Sequence, residues 1–207
     1  MGILNKKISY NRGMTYIELI VVLSIFAVLS GTAVYNHGIF QSKVEIKTLA
    51  SDMALKIVES QKSSLSGKLP PLSQQSQIDS TWKPSYGVYI NPSSDNKSFV
   101  YFVDLKNPAQ NGLYNTSTCP GSGECLERIT ITKGNSISAL NVFYQGDTNA
   151  YNLGDLTVTF KRPNSTPVIK SSTAFTSTIN YIQITVISPK AQIAKIKLYP
   201  SGRVQIN

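Results

Sequence analysis

Histidine and cysteine are scarce in this 207-residue sequence, which contains one histidine and two cysteines. Zinc sites built by a protein take several His and Cys ligands, so the sequence disfavours a zinc or iron enzyme. A Ser-His-Asp triad or a Cys-His pair would have to use His37, which directly follows a long apolar segment. We therefore predict a protein that is not an enzyme and that holds no cofactor.

Charged residues are also few, and one part of the chain has almost none. They make up 15% of the sequence, against roughly 25% in soluble globular proteins. Between Arg12 and Lys43 the only formally charged side chain is Glu18. A helix needs about 20 apolar residues to cross the hydrocarbon core of a bilayer, and residues 17–36 supply them. The sequence therefore predicts one transmembrane helix over about residues 17–36.

The charges before this segment predict its orientation. Lys6, Lys7 and Arg12 precede it, so the positive-inside rule places the N-terminus in the cytoplasm and the rest of the chain outside. A secretory signal peptide and a plain signal anchor are the simpler interpretations. The apolar run is longer than a signal peptide requires and lacks a small-residue cleavage site after it. A plain anchor leaves Glu18 unexplained, because an unpaired carboxylate in a membrane helix is costly.

The residues around Glu18 form a motif. The stretch Gly13-Met14-Thr15-Tyr16-Ile17-Glu18-Leu19, between a basic leader and the apolar segment, resembles the class III signal of type IV pilins and pseudopilins. The resemblance implies that residues 1–13 are a leader peptide, that prepilin peptidase cuts after Gly13, and that Met14 becomes the methylated N-terminus. It also implies that Glu18 docks the subunit in a filament by pairing with the N-terminal amine of a neighbouring subunit.

The helical pattern continues beyond the apolar segment. Apolar residues recur at steps of three and four up to Ile57, with charged residues between them, which indicates an amphipathic helix. Gly67 and the following Pro70 predict its end. We expect one nearly continuous helix over residues 14–66, whose second half packs on an external domain over residues 67–207.

The external domain alternates apolar and polar residues, which is typical of strands. Eight strands are predicted, over residues 86–91, 98–105, 125–132, 135–143, 156–162, 181–188, 194–199 and 203–206. Tight turns between them favour antiparallel pairing, and Tyr199-Pro200-Ser201-Gly202 should join the last two strands as a hairpin. The predicted class is therefore α+β, with a long N-terminal helix packed on an antiparallel β domain. The strand sequences, including a final SGRV, resemble GspH/FimT-type minor pseudopilins, which implies a pilin-like fold.

The two cysteines lie close together, with Cys119 and Cys125 bracketing PGSGE. The predicted topology places them outside the cytoplasm, where disulfides persist, so we predict a disulfide between them. The alternative, a redox-active pair, lacks the C-x-x-C spacing.

One loop is rich in oxygen donors, which calcium prefers as ligands. The donors are Asp104, Asn107, Asn111 and Asn115. An EF-hand spacing is absent, and Asn is an ordinary turn residue. The pattern favours a plain loop, with calcium binding as the alternative and no other metal site predicted.

The external domain is basic, with 13 Lys and Arg against 7 Asp and Glu from Gly67 onward. Four cations lie on or near the predicted C-terminal hairpin: Lys190, Lys195, Lys197 and Arg203. Some FimT-like proteins bind DNA through a basic C-terminal segment that has a second arginine two residues after a glycine-arginine pair. Because Gln205 occupies that position here, the pattern favours a cationic surface facing neighbouring subunits or cell-wall polyanions, with DNA binding as the alternative.

These features predict a structural subunit, a minor pilin or pseudopilin, of a type IV pilus or a type II secretion-like filament. Its expected partners are other such subunits, prepilin peptidase and the membrane. It should be a single-pass protein of the cytoplasmic (inner) membrane with an external C-terminal domain, assembled into a cell-surface or periplasmic filament. The alternative function is that of a DNA-binding minor pilin for DNA uptake.

Overall fold

The computed structural model describes residues 13–106, 110–115, 119, 123–164 and 166–207. Within these residues it contains one long helix, α1 (Tyr16–Leu65), one short 3-10 helix (Leu72–Gln77) and ten strands in two antiparallel sheets. The predicted α+β class is therefore confirmed. The strands are β1 (Ser85–Ile90), β2 (Ser98–Val103), β3 (Cys125–Thr130), β4 (Ser136–Tyr144), β5 (Tyr151–Asn152), β6 (Leu156–Lys161), β7 (Pro167–Lys170), β8 (Ile179–Ile187), β9 (Ile193–Leu198) and β10 (Val204–Ile206).

Both ends of α1 are capped by the residues that flank it. At the start, the Thr15 hydroxyl oxygen accepts a hydrogen bond from the Glu18 N–H at 3.3 Å, as a helix N-cap does. At the end, Gly67 has a positive φ of 71°, and the N–H of Lys68 donates to the Ser63 carbonyl at 3.1 Å. This is a Schellman-type cap, which glycine accommodates at no steric cost. The helix thus begins and ends within two residues of the predicted positions.

Residue contacts divide the chain into two compact units, and the boundary between Gln41 and Ser42 lies inside α1. In the first unit the helix carries exposed apolar side chains along its length. Among the described residues, α1 is the one helix that is long and apolar enough to cross a membrane. These properties agree with the transmembrane segment predicted from the sequence.

The second unit contains both sheets. The first sheet has the strand order β3-β2-β1-β6-β7, and the second has the order β10-β9-β8-β4-β5. All eight predicted strands are present. The sequence prediction missed β5 and β7, which are short and lack an apolar alternation. It also did not foresee the division into two sheets.

One core joins α1 to both sheets. Ile46, Ala50, Met53 and Ile57 of the helix are at most 1% exposed and belong to the same cluster as inward residues of both sheets. The amphipathic pattern predicted from the sequence therefore marks the face of α1 that the second unit buries. Burying a large apolar side chain such as Ile46, Met53 or Ile57 stabilises the folded state by about 1.5–3 kcal/mol.

A buried serine connects α1 to the first sheet. Ser64 is fully buried, and its hydroxyl donates to the Phe160 carbonyl of β6 at 2.6 Å. The same oxygen accepts from the Tyr86 N–H of β1 at 2.9 Å. Ser64 therefore satisfies two backbone groups at the end of the β1–β6 ladder.

The predicted C-terminal hairpin is confirmed. Leu198 of β9 lies opposite Val204 of β10, and the Gly202 N–H donates to the Tyr199 carbonyl at 2.9 Å. This hydrogen bond closes the turn, with Pro200 at its second position and glycine at its fourth. The hairpin places Lys195 and Lys197 of β9 on the same small sheet segment as Arg203, which directly precedes β10.

Candidate functional site

The predicted processing junction lies at the start of α1. Gly13 and Met14 precede the helix, and Met14 is 61% exposed. Glu18 is in the first turn of α1 and is also exposed. Acidic side chains in the first turn of a helix interact favourably with the helix dipole. The arrangement places one carboxylate four residues from the amine that cleavage after Gly13 would create.

The segment after Glu18 is uncharged and apolar. Its exposed large side chains are Leu19, Ile20, Val21, Val22, Leu23, Ile25, Phe26, Val28, Leu29 and Val34. So many exposed apolar side chains favour a helix that is covered by lipid or by other protein, since each would otherwise remain hydrated. His37 lies beyond them on α1 and is exposed.

The second half of α1 also exposes apolar residues, a feature the sequence reasoning missed. Val44, Leu55, Val58 and Leu65 are each more than 40% exposed. Their separations of 11, 3 and 7 residues place them along one side of the helix. The spacing of these four residues could have revealed this side of the helix, but the spacing of the buried residues on the same helix was the stronger pattern. This side of α1 offers a second apolar surface in addition to the membrane-type segment.

The disulfide between Cys119 and Cys125 is present, as predicted from the sequence. Cys125 is the first residue of β3 and is buried beside Val100 and Phe102 of β2. Tyr114 packs against the same cluster. The bridge therefore anchors the loop before β3 on the outer side of the first sheet.

Two buried carboxylates hold the described parts of the loop between β2 and β3. Asp104 and Glu124 are each 1% exposed. Asp104 Oδ2 accepts hydrogen bonds from the Gly112 N–H at 3.0 Å and from the Ser85 hydroxyl at 3.2 Å. Glu124 Oε2 accepts from the Asn115 N–H at 2.7 Å. Burial raises the pKa of Asp104 to about 6 and the pKa of Glu124 to about 7, and the charge of Asp104 adds to the second effect.

The calcium candidates give no closed ligand set. Asn107 lies outside the described residues. The Asn111 Oδ1 accepts from the Leu113 N–H at 2.9 Å and from the Asn115 amide at 3.0 Å, which are the contacts of an ordinary turn. Asp104 lines a cavity of about 170 Å³ together with Lys161, whose positive charge opposes a cation there. No group of three or more His, Cys, Asp or Glu side chains suited to a metal occurs among the described residues.

Three of the four predicted basic residues come together on the second sheet. Lys195 and Lys197 alternate with buried residues of β9 and so point away from the core, and Arg203 lies opposite Tyr199 beside them. Lys190 lies in the turn between β8 and β9 instead. The sequence identified the charges, but not the aromatic residues that contact them.

Comparison of the chain with protein-family models, with curated proteins and with solved structures gives no match.

Proposed function

We propose that this chain is a pilin-like subunit of a membrane-anchored filament, a minor pilin or pseudopilin. One observation carries the proposal. Glu18 is the single charged side chain of an exposed apolar helix segment, and it lies four residues after Met14 in a stretch that resembles a pilin-type processing signal.

The physical argument concerns the partner of that carboxylate. A charge transferred into an apolar environment without a partner costs several kcal/mol, so a functional pairing accounts for its retention there. Cleavage after Gly13 creates an ammonium at Met14 in the same region of the helix. An ion pair between Glu18 of one subunit and the Met14 amine of a neighbour would neutralise both charges and set the register between the two helices.

The exposed side of the second half of α1 supports the same proposal. Val44, Leu55, Val58 and Leu65 would be covered if the helices of neighbouring subunits packed along this side. Helix packing of this kind buries apolar surface at about 25 cal/mol per Å². The proposed filament therefore uses both halves of α1.

Mass spectrometry of the protein from native membranes tests the processing step. We expect a mature chain that begins at methylated Met14. A chain that retains residues 1–13 would show that the leader is not removed and would contradict the proposal.

A substitution tests the docking role of Glu18. Glu18→Gln should leave membrane insertion unchanged, because the span keeps its apolar residues and loses a costly charge, but should reduce the subunit in sheared filaments at least about tenfold. Asp52→Asn, which removes an exposed carboxylate later in the same helix, is the matched control and should assemble normally. Equal, wild-type amounts of the Glu18→Gln and Asp52→Asn variants in sheared filaments would contradict the docking role of Glu18.

The alternative drawn from the sequence, DNA binding, would use the basic residues of the second sheet. It is tested together with the inference below.

A further inference from the structure

The outer face of the second sheet has an unusual composition. Its residues alternate with core residues along each strand and point away from the core. No Asp or Glu occurs at these outward positions, and none of the ion pairs found among the described residues involves the three cations there. The face carries Asn141, Phe143, Asn152, Tyr181, Gln183, Thr185, Lys195, Lys197, Tyr199, Arg203, Gln205 and Asn207.

An aromatic row crosses this face and orders two of its cations. Phe143 and Tyr181 stack with ring centroids 4.6 Å apart, and Tyr181 is 5.8 Å from Tyr199. The Lys197 ammonium is 4.7 Å from the centre of the Tyr181 ring, and the Arg203 guanidinium is 4.0 Å from that of Tyr199. The ring faces are therefore turned toward each other and toward the cations. The row holds the cations in place and leaves few ring faces for a ligand to stack on.

A row of polar side chains, four of them amides, runs beside the aromatic row. Successive cross-strand partners place these side chains next to one another in the order Asn152, Asn141, Gln183, Lys197 and Gln205. Neighbouring strands are about 4.8 Å apart, so the row presents polar side chains at this spacing, except at Gln183, which is 7% exposed and donates its amide N–H to the Thr185 hydroxyl at 3.4 Å. Gln205 is oriented by the Tyr199 hydroxyl, which donates to its Oε1 at 3.2 Å.

We propose that this face binds a linear carboxylated polysaccharide lying across the strands. Amide side chains both donate and accept hydrogen bonds and so suit sugar hydroxyls, which also do both. Lys197 and Arg203, ordered in advance by the aromatic row, would form charge-assisted hydrogen bonds with the carboxylates. The absence of acidic side chains at the outward positions of these strands removes the repulsion that an acidic polymer would meet elsewhere on the chain.

Nucleic acid fits the same face less well. Single strands bind through bases stacked on free aromatic faces, which this row does not offer. Duplex DNA presents one charge per about 1.7 Å and favours surfaces with many phosphate contacts, whereas three cations lie here.

The test uses the full chain in a neutral detergent and a fluorescently labelled polygalacturonate oligosaccharide, with binding measured by anisotropy. We expect saturable binding, which Arg203→Gln and Lys197→Gln each weaken about tenfold. Lys83→Gln removes an exposed charge outside this face and should leave the affinity within about twofold of the wild type. The methyl-esterified oligosaccharide should bind more weakly because its carboxylates are neutral.

Two further variants make the result decisive. Asn141→Ala removes an amide without changing charge and should weaken binding several-fold, whereas simple polyanion attraction predicts no change. Arg203→Lys keeps the charge but loses the planar group stacked on Tyr199, and should bind between wild type and Arg203→Gln. An unfolding midpoint close to that of the wild type shows that each variant is folded.

Unchanged binding by Asn141→Ala, absence of binding to the oligosaccharide, or equal or tighter binding of a thymidine oligonucleotide of the same charge would overturn the proposal. The last result would favour DNA as the ligand, and none of them bears on filament assembly.

Discussion

Replacing Ser64 with alanine should destabilise the second unit by about 3 kcal/mol. The hydroxyl donates to the Phe160 carbonyl at 2.6 Å and accepts from the Tyr86 N–H at 2.9 Å. Alanine leaves both backbone groups buried without these partners, at about 1–3 kcal/mol for each group. Ser64 is fully buried, so water cannot replace the hydroxyl without opening the contact between α1 and the first sheet.

Ser60 provides a matched control on the same helix. It is also fully buried, but its hydroxyl donates only to the Ile57 carbonyl of its own helix, at 2.7 Å. Ser60→Ala should therefore change the unfolding free energy by less than about 1 kcal/mol, since alanine favours the helix and leaves no strand group unpaired.

Urea unfolding of the full chain in detergent measures both variants. Trp82 is the only tryptophan and is buried, with its indole N–H donating to the Asp104 carbonyl at 2.9 Å, so its fluorescence reports on this unit. Equal unfolding free energies for Ser64→Ala and Ser60→Ala would refute the assigned role of Ser64 in joining helix and sheet.

Three other predictions concern the same unit. Its unfolding free energy should fall by about 4 kcal/mol between pH 5 and pH 8, because the raised pKa values of Asp104 and Glu124 mean that the folded state retains protons which the unfolded chain has already released. In urea titrations Asp104→Asn should weaken this dependence, and the remainder should come from Glu124. Gly87→Ala should cost at least about 2 kcal/mol, because a Cβ there would lie 2.5 Å from a backbone oxygen of β6, and a thermal melt would show the loss. Replacing both Cys119 and Cys125 with serine should lower the unfolding free energy by about 2 kcal/mol relative to the oxidised wild type, because the disulfide closes a short loop and so lowers the entropy of the unfolded chain. An unchanged midpoint would contradict this reason.

Local sequence patterns predicted most of the elements of this fold. The three- and four-residue spacing of Ile46, Ala50, Met53 and Ile57 identified the buried face of α1, and Gly67 identified its end. These signals act over a few residues, where propensity and periodicity decide the structure. The eight strands that were predicted alternate strongly enough to be found in the same way.

The features that the sequence did not reveal depend on contacts between distant segments. β1 pairs with β6 and β4 pairs with β8, and these pairings decide that there are two sheets. The aromatic row needs the register that sets Phe143 opposite Tyr181, which no local pattern contains. Asp104 was identified as an oxygen donor, but its burial follows from the strands and loop that surround it.

The strand order of the two sheets has a consequence for the solubility of this unit. Both sheets are open, and their edge strands are β3, β7, β5 and β10. Exposed strand edges invite pairing with other chains, and proteins limit this with short strands, proline and charge. Here β5 has two residues and β10 has three, β7 begins with Pro167, and β3 exposes Glu127 and Arg128. Copies of the chain at high local concentration are thereby protected against edge-to-edge aggregation.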